Sequence, residues 1–325
     1  MNKIYDFTKT LLIDAIKACY ELFKVMIPVI IGVKILQELD LIQYLAWPLK
    51  PFMGMLGLPA ELGLAWASAM VNSMYAGLIV FLSLIQDLSI TTEQATVFSV
   101  IILIGHGFPI EGIIARKAGA RMIFQVLIRA VGAFVLGFIL HQIYSTTGTL
   151  QGPALIALQT TSQPDPTLLQ WATGKAMNLL SIFGIVLGLM LVMRILHAIR
   201  AVELMNMILQ PILKIIGIGP KASAITIIGL TLGLSYGGGL IIAEAKSGNV
   251  GRKDIFYSLT LMGLCHSLIE DTLLVMLIGA HLSGVFWGRF LFGLVVLTIL
   301  VQLTKHIPTS FSNRFLWGDP KPSTT

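Results

Sequence analysis

Charge is scarce in this chain of 325 residues, and its scarcity excludes several classes of protein. Asp, Glu, Lys and Arg make up 12% of the residues, against about 25% in soluble domains. The net charge of +6 forms no basic run, so nucleic-acid binding is not expected. Only two cysteines occur, Cys19 and Cys265, which cannot supply a disulfide framework or a zinc-finger spacing. A membrane protein is the class that remains.

The sequence also lacks the short motifs of common nucleotide-binding and hydrolytic sites. It contains no P-loop, no Rossmann fingerprint, no His-Glu-x-x-His and no Gly-x-Ser-x-Gly. We therefore expect no enzymatic activity, no cofactor and no hydrolysis of ATP by this chain.

Apolar residues are abundant and occur in long runs. The hydrophobic fraction is 56% and the mean hydropathy is +0.86, which predicts an all-α polytopic membrane protein surrounded by lipid. Stretches of bilayer-spanning length lie near residues 18–36, 62–85, 95–114, 122–144, 177–199, 222–243, 255–280 and 285–304.

The chain repeats its rarest groups at a spacing of 160 residues. Without a gap, Pro51 falls on Pro211, His106 on His266, Glu111 on Asp271 and Arg129 on Arg289. Charged residues are costly in apolar helices, so an ordered duplication of them indicates a repeated transport-like architecture. We divide the chain into a first membrane repeat (1–145), an extracytoplasmic linker (146–175), a second membrane repeat (176–306) and a cytoplasmic tail (307–325).

Each repeat is predicted to hold about five membrane segments, four long helices and one short segment with a central proline. The short segments are 41–58 and 201–218, and their length leaves open whether they cross, re-enter or lie in the interface. If both cross, the repeats are inverted and the basic loops near residues 116–121 and 246–253 share the cytoplasmic side with both termini, as the positive-inside rule favours. If neither crosses, the repeats are parallel, and the 246–253 loop and the basic tail lie outside, against that rule. We expect the inverted arrangement, in a bacterial-type inner membrane.

The strongest local signal is Gly105-His106-Gly107-Phe108-Pro109-Ile110-Glu111 within an apolar stretch. Two glycines and a proline weaken a helix there, and a broken helix at mid-bilayer can form a binding site. The matching segment has His266, Glu270 and Asp271 but neither Gly nor Pro, so an unbroken helix is expected, with His266 and Glu270 on one face. His106 and Glu111 would meet only if their helix unwinds.

A second polar region precedes each histidine. Its candidate solute- or ion-binding residues are Asn72, Ser73 and Tyr75 in the first repeat and Ser235, Tyr236, Gly237 and Gly238 in the second. Consecutive glycines indicate either local unwinding or close helix packing. Arg129 and Arg289 are interpreted either as interfacial anchors or as partners of Glu111 and Asp271 that lock a gate.

These features resemble the Gate, or nucleoside-recognition, membrane family. The resemblance rests on the Pro-to-Gly segments (Pro51 to Gly57 and Pro211 to Gly217), on the polar helices that follow them (Asn72 to Gly77 and Ser235 to Gly239), and on the duplication over nearly the whole chain. The family includes the sporulation maturation proteins A and B and, more distantly, the permease part of ferrous-iron transporters and concentrative nucleoside transporters. The resemblance implies a pore or gate whose solute can be nucleoside-like.

The leading hypothesis is an ion- or proton-coupled secondary transporter for a small polar solute, with its site between the repeats near His106, Glu111, His266, Glu270 and Asp271. A divalent-cation permease is the nearest alternative, because imidazole and carboxylate suit Fe, Mn or Zn. A membrane scaffold or assembly factor and an intramembrane metalloenzyme also stay open. So do a homodimer and a partner membrane protein.

Overall fold

The computed structural model describes residues 2–39, 41–85, 88–157, 167–199 and 201–318, and within these residues the protein is helical. The α-helices are α1 (Asn2–Glu38), α2 (Ile42–Ala46), α3 (Lys50–Met55), α4 (Leu62–Val71), α5 (Met74–Leu84), α6 (Thr92–Ile104), α7 (Phe108–Lys117), α8 (Met122–Thr147), α9 (Leu168–Ala198), α10 (Ala201–Ile216), α11 (Pro220–Leu232), α12 (Leu234–Ser247), α13 (Arg252–Cys265), α14 (Glu270–Met276), α15 (Arg289–His306) and α16 (Thr309–Phe315). The predicted all-α class is confirmed.

Five stretches of the described residues are long and apolar enough to cross a bilayer, and they confirm a polytopic membrane protein. They are Thr92–Lys117, Met122–Thr147, Leu168–Val192, Arg252–Met276 and Ser283–His306. The 37 residues of α1 would extend about 55 Å as a helix, which also exceeds the bilayer core. The start of the first of these spans is defined by its sequence, because Thr91 and Gln94 form a capping box at the start of α6.

Residues 62–85 form a helical hairpin, and the prediction that they cross the membrane as one helix is wrong. A side chain added at Gly77 would lie 2.7 Å from Ala69 Cβ and 2.9 Å from the Ala65 carbonyl oxygen. In a continuous helix, eight residues would separate such groups by about 12 Å. The turn between α4 and α5 lies at Asn72 and Ser73, where the Ser73 hydroxyl accepts from the Ala76 amide.

The second repeat has the same hairpin in α11 and α12, so the predicted span 222–243 is also corrected. A side chain at Gly237 would lie 2.6 Å from Gly229 Cα, and the turn falls at Gly233 with φ +91°. Each arm has 10 to 14 residues, fewer than the roughly 20 that a helix needs to span the hydrocarbon core. Both hairpins therefore re-enter the bilayer.

Two crossing helices are broken near their centres. Gly107 lies between α6 and α7 with φ +60°, as the Gly-Pro segment predicted. The equivalent position between α13 and α14 is Ser267, also left-handed with φ +47°. The unbroken helix expected there is wrong: His266 is extended, with ψ 167°. Tertiary contact maintains this second break, because the Leu268 amide donates to the Leu230 carbonyl of the hairpin at 2.8 Å.

The two ends of the molecule can be told apart by their loops. At what we call the Arg121 end, the Arg121 amide donates to the Leu316 carbonyl at 2.9 Å, and its guanidinium donates to the Asn313 carbonyl at 2.7 Å. At the Glu93 end, the Glu93 amide donates to the Leu150 carbonyl at 2.8 Å. The loop after α7 and the tail after α15 thus share one end.

This pairing requires an even number of crossings between residues 121 and 316. The spans that begin with α8, α9, α13 and Ser283 supply four, so α10 does not cross. Its 16 residues, about 24 Å of helix, are shorter than the hydrocarbon core. In the first repeat, residues 42–55 form only short helices. The five segments per repeat remain, but within the described residues the two repeats together cross six times, with α1 counted, rather than ten.

The two repeats have opposite orientations. Gln94, at the Glu93 end, donates its side-chain amide to the Gly57 carbonyl at 2.9 Å, so the first hairpin enters from that end. The equivalent glycine, Gly217, precedes Ile218, which packs in one core with Ala118 and Ala120 of the Arg121 end. Matching positions therefore lie at opposite ends, as the inverted arrangement predicts.

Each repeat completes the hydrophobic core of the other. Ala115, Ala118 and Ala120, which follow the first break, are buried in the core built mainly by the second repeat. Their equivalents at a spacing of 160, Val275, Ile278 and Ala280, are buried in the core of the first repeat. The C-terminal part of each broken span is thus exchanged between the repeats.

Candidate functional site

The two breaks bring His106, Glu111 and His266 together. His106 Nε2 lies 3.3 Å from His266 Nε2 and 3.3 Å from Glu111 Oε1, and His266 Nε2 lies 3.8 Å from the same carboxylate oxygen. Both histidines are buried, and the Glu111 side chain is 12% exposed. Unwinding at Gly107 permits the contact of His106 with Glu111, which five residues of regular helix would not allow.

The hydrogen bonds of the outer ring nitrogens fix the tautomer of both histidines. His106 Nδ1 lies 2.9 Å from the Ile102 carbonyl oxygen, and His266 Nδ1 lies 2.8 Å from the Met262 carbonyl oxygen. A carbonyl can only accept, so each Nδ1 carries the proton. In neutral imidazoles both Nε2 atoms are then acceptors. They face each other and a carboxylate oxygen, which is also an acceptor when ionised.

Arg129 holds the other side of the Glu111 carboxylate. Its Nη1 lies 2.5 Å from Glu111 Oε2, its Nε donates to the Ile104 carbonyl at 2.9 Å, and its Nη2 donates to the His106 carbonyl at 2.8 Å. The side chain is buried and does not reach an interface, so the anchor interpretation is wrong for Arg129. The same guanidinium therefore satisfies the carbonyls freed by the helix break and positions Glu111.

Both hairpin turns lie against the breaks. The Gly107 amide donates to the Ala69 carbonyl at 2.9 Å, just as Leu268 contacts Leu230 in the other repeat. Asn72, Ser73 and Tyr75, predicted to bind a solute, lie at or beside the first turn and are half-buried. The site is thus formed by two broken spans and two re-entrant hairpins, one of each from each repeat.

The acids of the second repeat are not arranged like Glu111. Asp271 is buried and Glu270 half-buried, both in the first turn of α14. Within the described part of the chain, neither carboxylate forms an ion pair with Arg289, and the predicted bond between His266 and Glu270 is not present. Arg289 is fully buried, and its guanidinium nitrogens have no hydrogen-bond partner among those residues.

The glycines of the second hairpin serve packing rather than unwinding. Gly237 lies against Gly229, and a side chain at Gly238 would lie 2.6 Å from Ile114 Cγ2, while α12 stays helical through both. The side chains of Ser235 and Tyr236 lie outside the described residues. Their predicted role in binding stays a prediction.

A small pocket lies beside Glu111 and Arg129. Its lining includes Glu111, Arg129, Gly112, Ala115 and Gln125. Three of these residues, Glu111, Gly112 and Ala115, belong to α7, which runs from the break towards the Arg121 end. The pocket therefore lies along α7, beside the Glu111 carboxylate and the Arg129 guanidinium.

A bacterial protein is similar to this chain over most of its length. The uncharacterized membrane protein YvoD of Bacillus subtilis (strain 168) is 26% identical over 292 residues, which cover 88% of this chain and 90% of YvoD. No protein-family model and no solved structure matches. The likeness supports a membrane protein, and the resemblance to the Gate family stays a prediction.

Several residues of the site were not predicted from the sequence. Gly263 makes room for Arg129, because a side chain there would lie 2.9 Å from Arg129 Cδ. The Ala69 and Leu230 carbonyls accept hydrogen bonds from the breaks. Any residue has a main-chain carbonyl, so the sequence cannot indicate these contacts. Ser267 adopts a left-handed conformation that is rare for a residue with a side chain, so only Gly at that position would have indicated it.

Proposed function

We propose that this protein is a secondary membrane transporter whose binding site lies between two inverted repeats. The observation that supports this most is the meeting of His106, Glu111 and His266 from both repeats at breaks in crossing helices. Ionisable groups buried within membrane-spanning segments are energetically costly and usually mark a transport pathway. Broken helices opposed across an inverted repeat are the arrangement by which many transporters form a site near the bilayer midplane.

The hairpins and the exchanged core suggest how access to this site would alternate. Each hairpin reaches the site from one end, and a main-chain carbonyl of each accepts a hydrogen bond from the break in its own repeat. A movement of one hairpin could open the site to one side while the other hairpin keeps it closed. We propose that the Arg121 end is cytoplasmic, because the basic loop near Arg116 and Lys117 lies there.

The solute that we propose is a small polar molecule or ion, coupled to an ion or a proton. The resemblance to the Gate family suggests, more specifically, that this solute is nucleoside-like. The test is transport in proteoliposomes that contain the full chain, with external solutes added singly from a panel of nucleosides, amino acids and inorganic cations. A parallel assay follows internal pH with a trapped dye.

We expect flux of at least one species in the unmodified protein, and its loss in His106→Ala and His266→Ala. Exposed His306, at the end of α15, provides the matched control, since His306→Ala should transport normally. If the two site variants are folded and abundant yet transport at the normal rate, the proposed site is wrong. If the unmodified protein moves none of the species, a scaffold role becomes the better account.

A further inference from the structure

We infer that His106, Glu111 and His266 bind a divalent transition-metal ion, with the Nε2 atoms of both histidines and Oε1 of Glu111 as ligands. The inference deepens the proposed function, because it names the ion that the site would carry or use for coupling. Metal binding itself does not depend on transport. The argument rests on the spacing of the three atoms, their bonding and their surroundings.

The three atoms have the spacing of ligands around one ion. They form a triangle with sides of 3.3, 3.3 and 3.8 Å. A point equidistant from its corners lies about 2.0 Å from each, which agrees with Zn–N distances of about 2.0–2.1 Å and Zn–O distances of about 2.0–2.2 Å. The imidazole rings are tilted by 57° with centroids 5.1 Å apart, close to the roughly 5 Å expected for two imidazoles bound at a tetrahedral angle.

The bonding pattern favours a cation because the three atoms are all acceptors. With Nδ1 of each histidine donating to a backbone carbonyl, no proton remains on Nε2 of a neutral ring. Bringing three lone pairs so close without a shared positive charge would be unfavourable. A histidine that binds a metal commonly donates its other N–H to a backbone carbonyl, which is the arrangement found in both rings.

Arg129 fits this interpretation as a group that orients a ligand. It binds Oε2 of Glu111 and leaves Oε1 directed at the histidines. A divalent cation near these side chains favours the ionised form of the Glu111, Glu270 and Asp271 carboxylates, which then outnumber the guanidiniums of Arg129 and Arg289 by three to two when both imidazoles are neutral. A divalent cation is therefore not repelled by a positive excess.

The donor set narrows the class of ion. Two imidazoles and one carboxylate suit Zn²⁺, Fe²⁺, Co²⁺ or Mn²⁺, whereas Mg²⁺ and Ca²⁺ prefer oxygen ligands. Three protein ligands leave a further coordination position, as in sites that exchange their ligands rather than in closed structural sites. Cys265 precedes His266, but its Sγ is directed at the Leu261 carbonyl, 3.3 Å away. Thiolate ligation is not part of the inference.

The test is a titration of the purified full-length protein with Co²⁺, followed by competition with Zn²⁺. We expect one Co²⁺ per chain, with the intense visible bands of a low-coordinate N/O site and no thiolate charge-transfer band. His106→Ala, His266→Ala and Glu111→Gln should each weaken binding by more than about 100-fold, beyond the 10–100-fold effect typical of residues outside the ligand set. His306→Ala should bind Co²⁺ normally.

Folding is checked by the unfolding temperature without metal, and by His106→Gln, which keeps the size of the side chain but removes the imidazole. Equal Co²⁺ affinity in the unmodified protein and in the double variant His106→Ala/His266→Ala would overturn the inference. Proton-coupled flux in a protein that binds no Co²⁺ would also overturn it, while leaving the transporter proposal intact. Stoichiometric binding without any flux would support the metal site and count against transport.

Discussion

The two buried arginines show most sharply how the repeats differ at the level of single residues. Arg129 contacts a carboxylate and two carbonyls, whereas Arg289 has no such partner among the described residues. The sequence aligns them and gives no reason to treat them differently. The difference arises because Glu111 lies within reach of its arginine after the first break, and Asp271 is not so placed after the second.

We expect Arg129→Met and Arg289→Met to affect stability unequally. Arg129→Met leaves the Glu111 carboxylate buried without its partner, which should lower the free energy of unfolding by about 3–5 kcal/mol. Arg289→Met removes a buried charge that has no partner in the described geometry, so stability should not fall. Denaturant unfolding of both variants in the same detergent measures the difference. Equal destabilisation would mean that Arg289 pairs with a group in the native protein after all.

Sequence alone identified the histidines and Glu111 because ionisable residues are rare in apolar segments. His106, Glu111 and His266 were all predicted as candidates, and the structure brings them within 3.8 Å of one another. Gly263 and the carbonyl of Ala69 could not be predicted. Their contributions are space and main-chain geometry, and neither depends on side-chain chemistry that a sequence displays.

At the scale of elements, hydropathy identified the apolar segments but not whether each one crosses the membrane or folds back on itself. Residues 62–85 and 222–243 are long enough to span a bilayer, so a window of average hydropathy treats each as one helix. The turn signals, Asn72-Ser73 in the first and Gly233 in the second, were present. Small residues face each other across the two arms of each hairpin, Ala69 with Gly77 and Gly229 with Gly237. They allow the two backbones to approach closely, which favours a hairpin over one continuous helix.

A pair of substitutions in α12 tests the hairpin. In Gly237→Ala the new methyl group would lie 2.6 Å from the Gly229 backbone, so we expect a loss of about 1–3 kcal/mol in stability. In Gly239→Ala nothing lies within 4 Å, and a gain of up to about 1 kcal/mol is expected from helix propensity. Thermal unfolding compares the two variants. If both gain stability, α11 and α12 are not packed as described.

At the scale of the whole molecule, the inverted relation was predictable from the distribution of basic residues, whereas the number of crossings was not. Counting segments cannot distinguish a short helix that lies at the surface from one that crosses. Hydrogen bonds between distant loops settle this point, since Arg121 contacts Asn313 and Leu316. Both the predicted and the observed arrangements place these loops together.

Labelling of single added cysteines tests the arrangement in cells. Cysteines at Lys221 and Asn249, the two feet of the second hairpin, should react with an impermeant reagent from the cytoplasmic side. Cysteines at Lys50, Ser89 and Thr149 should react from the opposite side. All five positions are exposed, and the native Cys19 and Cys265 are buried, so they should contribute little labelling. Labelling of Lys221 and Asn249 from different sides would exclude the re-entrant hairpin.

The exchanged core predicts that neither repeat is stable alone. A chain cut within residues 158–166 should yield two fragments that accumulate together and copurify, whereas either fragment alone should be degraded. The reason is that Val275, Ile278 and Ala280 fill the core of the first repeat, and Ala115, Ala118 and Ala120 fill that of the second. Pulse-chase measurement of each fragment checks this. A long-lived single fragment would show that the exchange contributes little.

The same exchange constrains the ancestry of the protein. A half-length ancestor with this core would have left its own α7-like segment unpaired unless a second copy, inserted upside down, supplied the partner. Such a protein must enter the bilayer in both orientations, which requires nearly balanced basic residues on its two sides. Only after duplication and fusion could each copy acquire a fixed charge bias. In that case the basic residues of the loops at 116–121 and 246–253, which fix one membrane orientation, would have arisen after the fold.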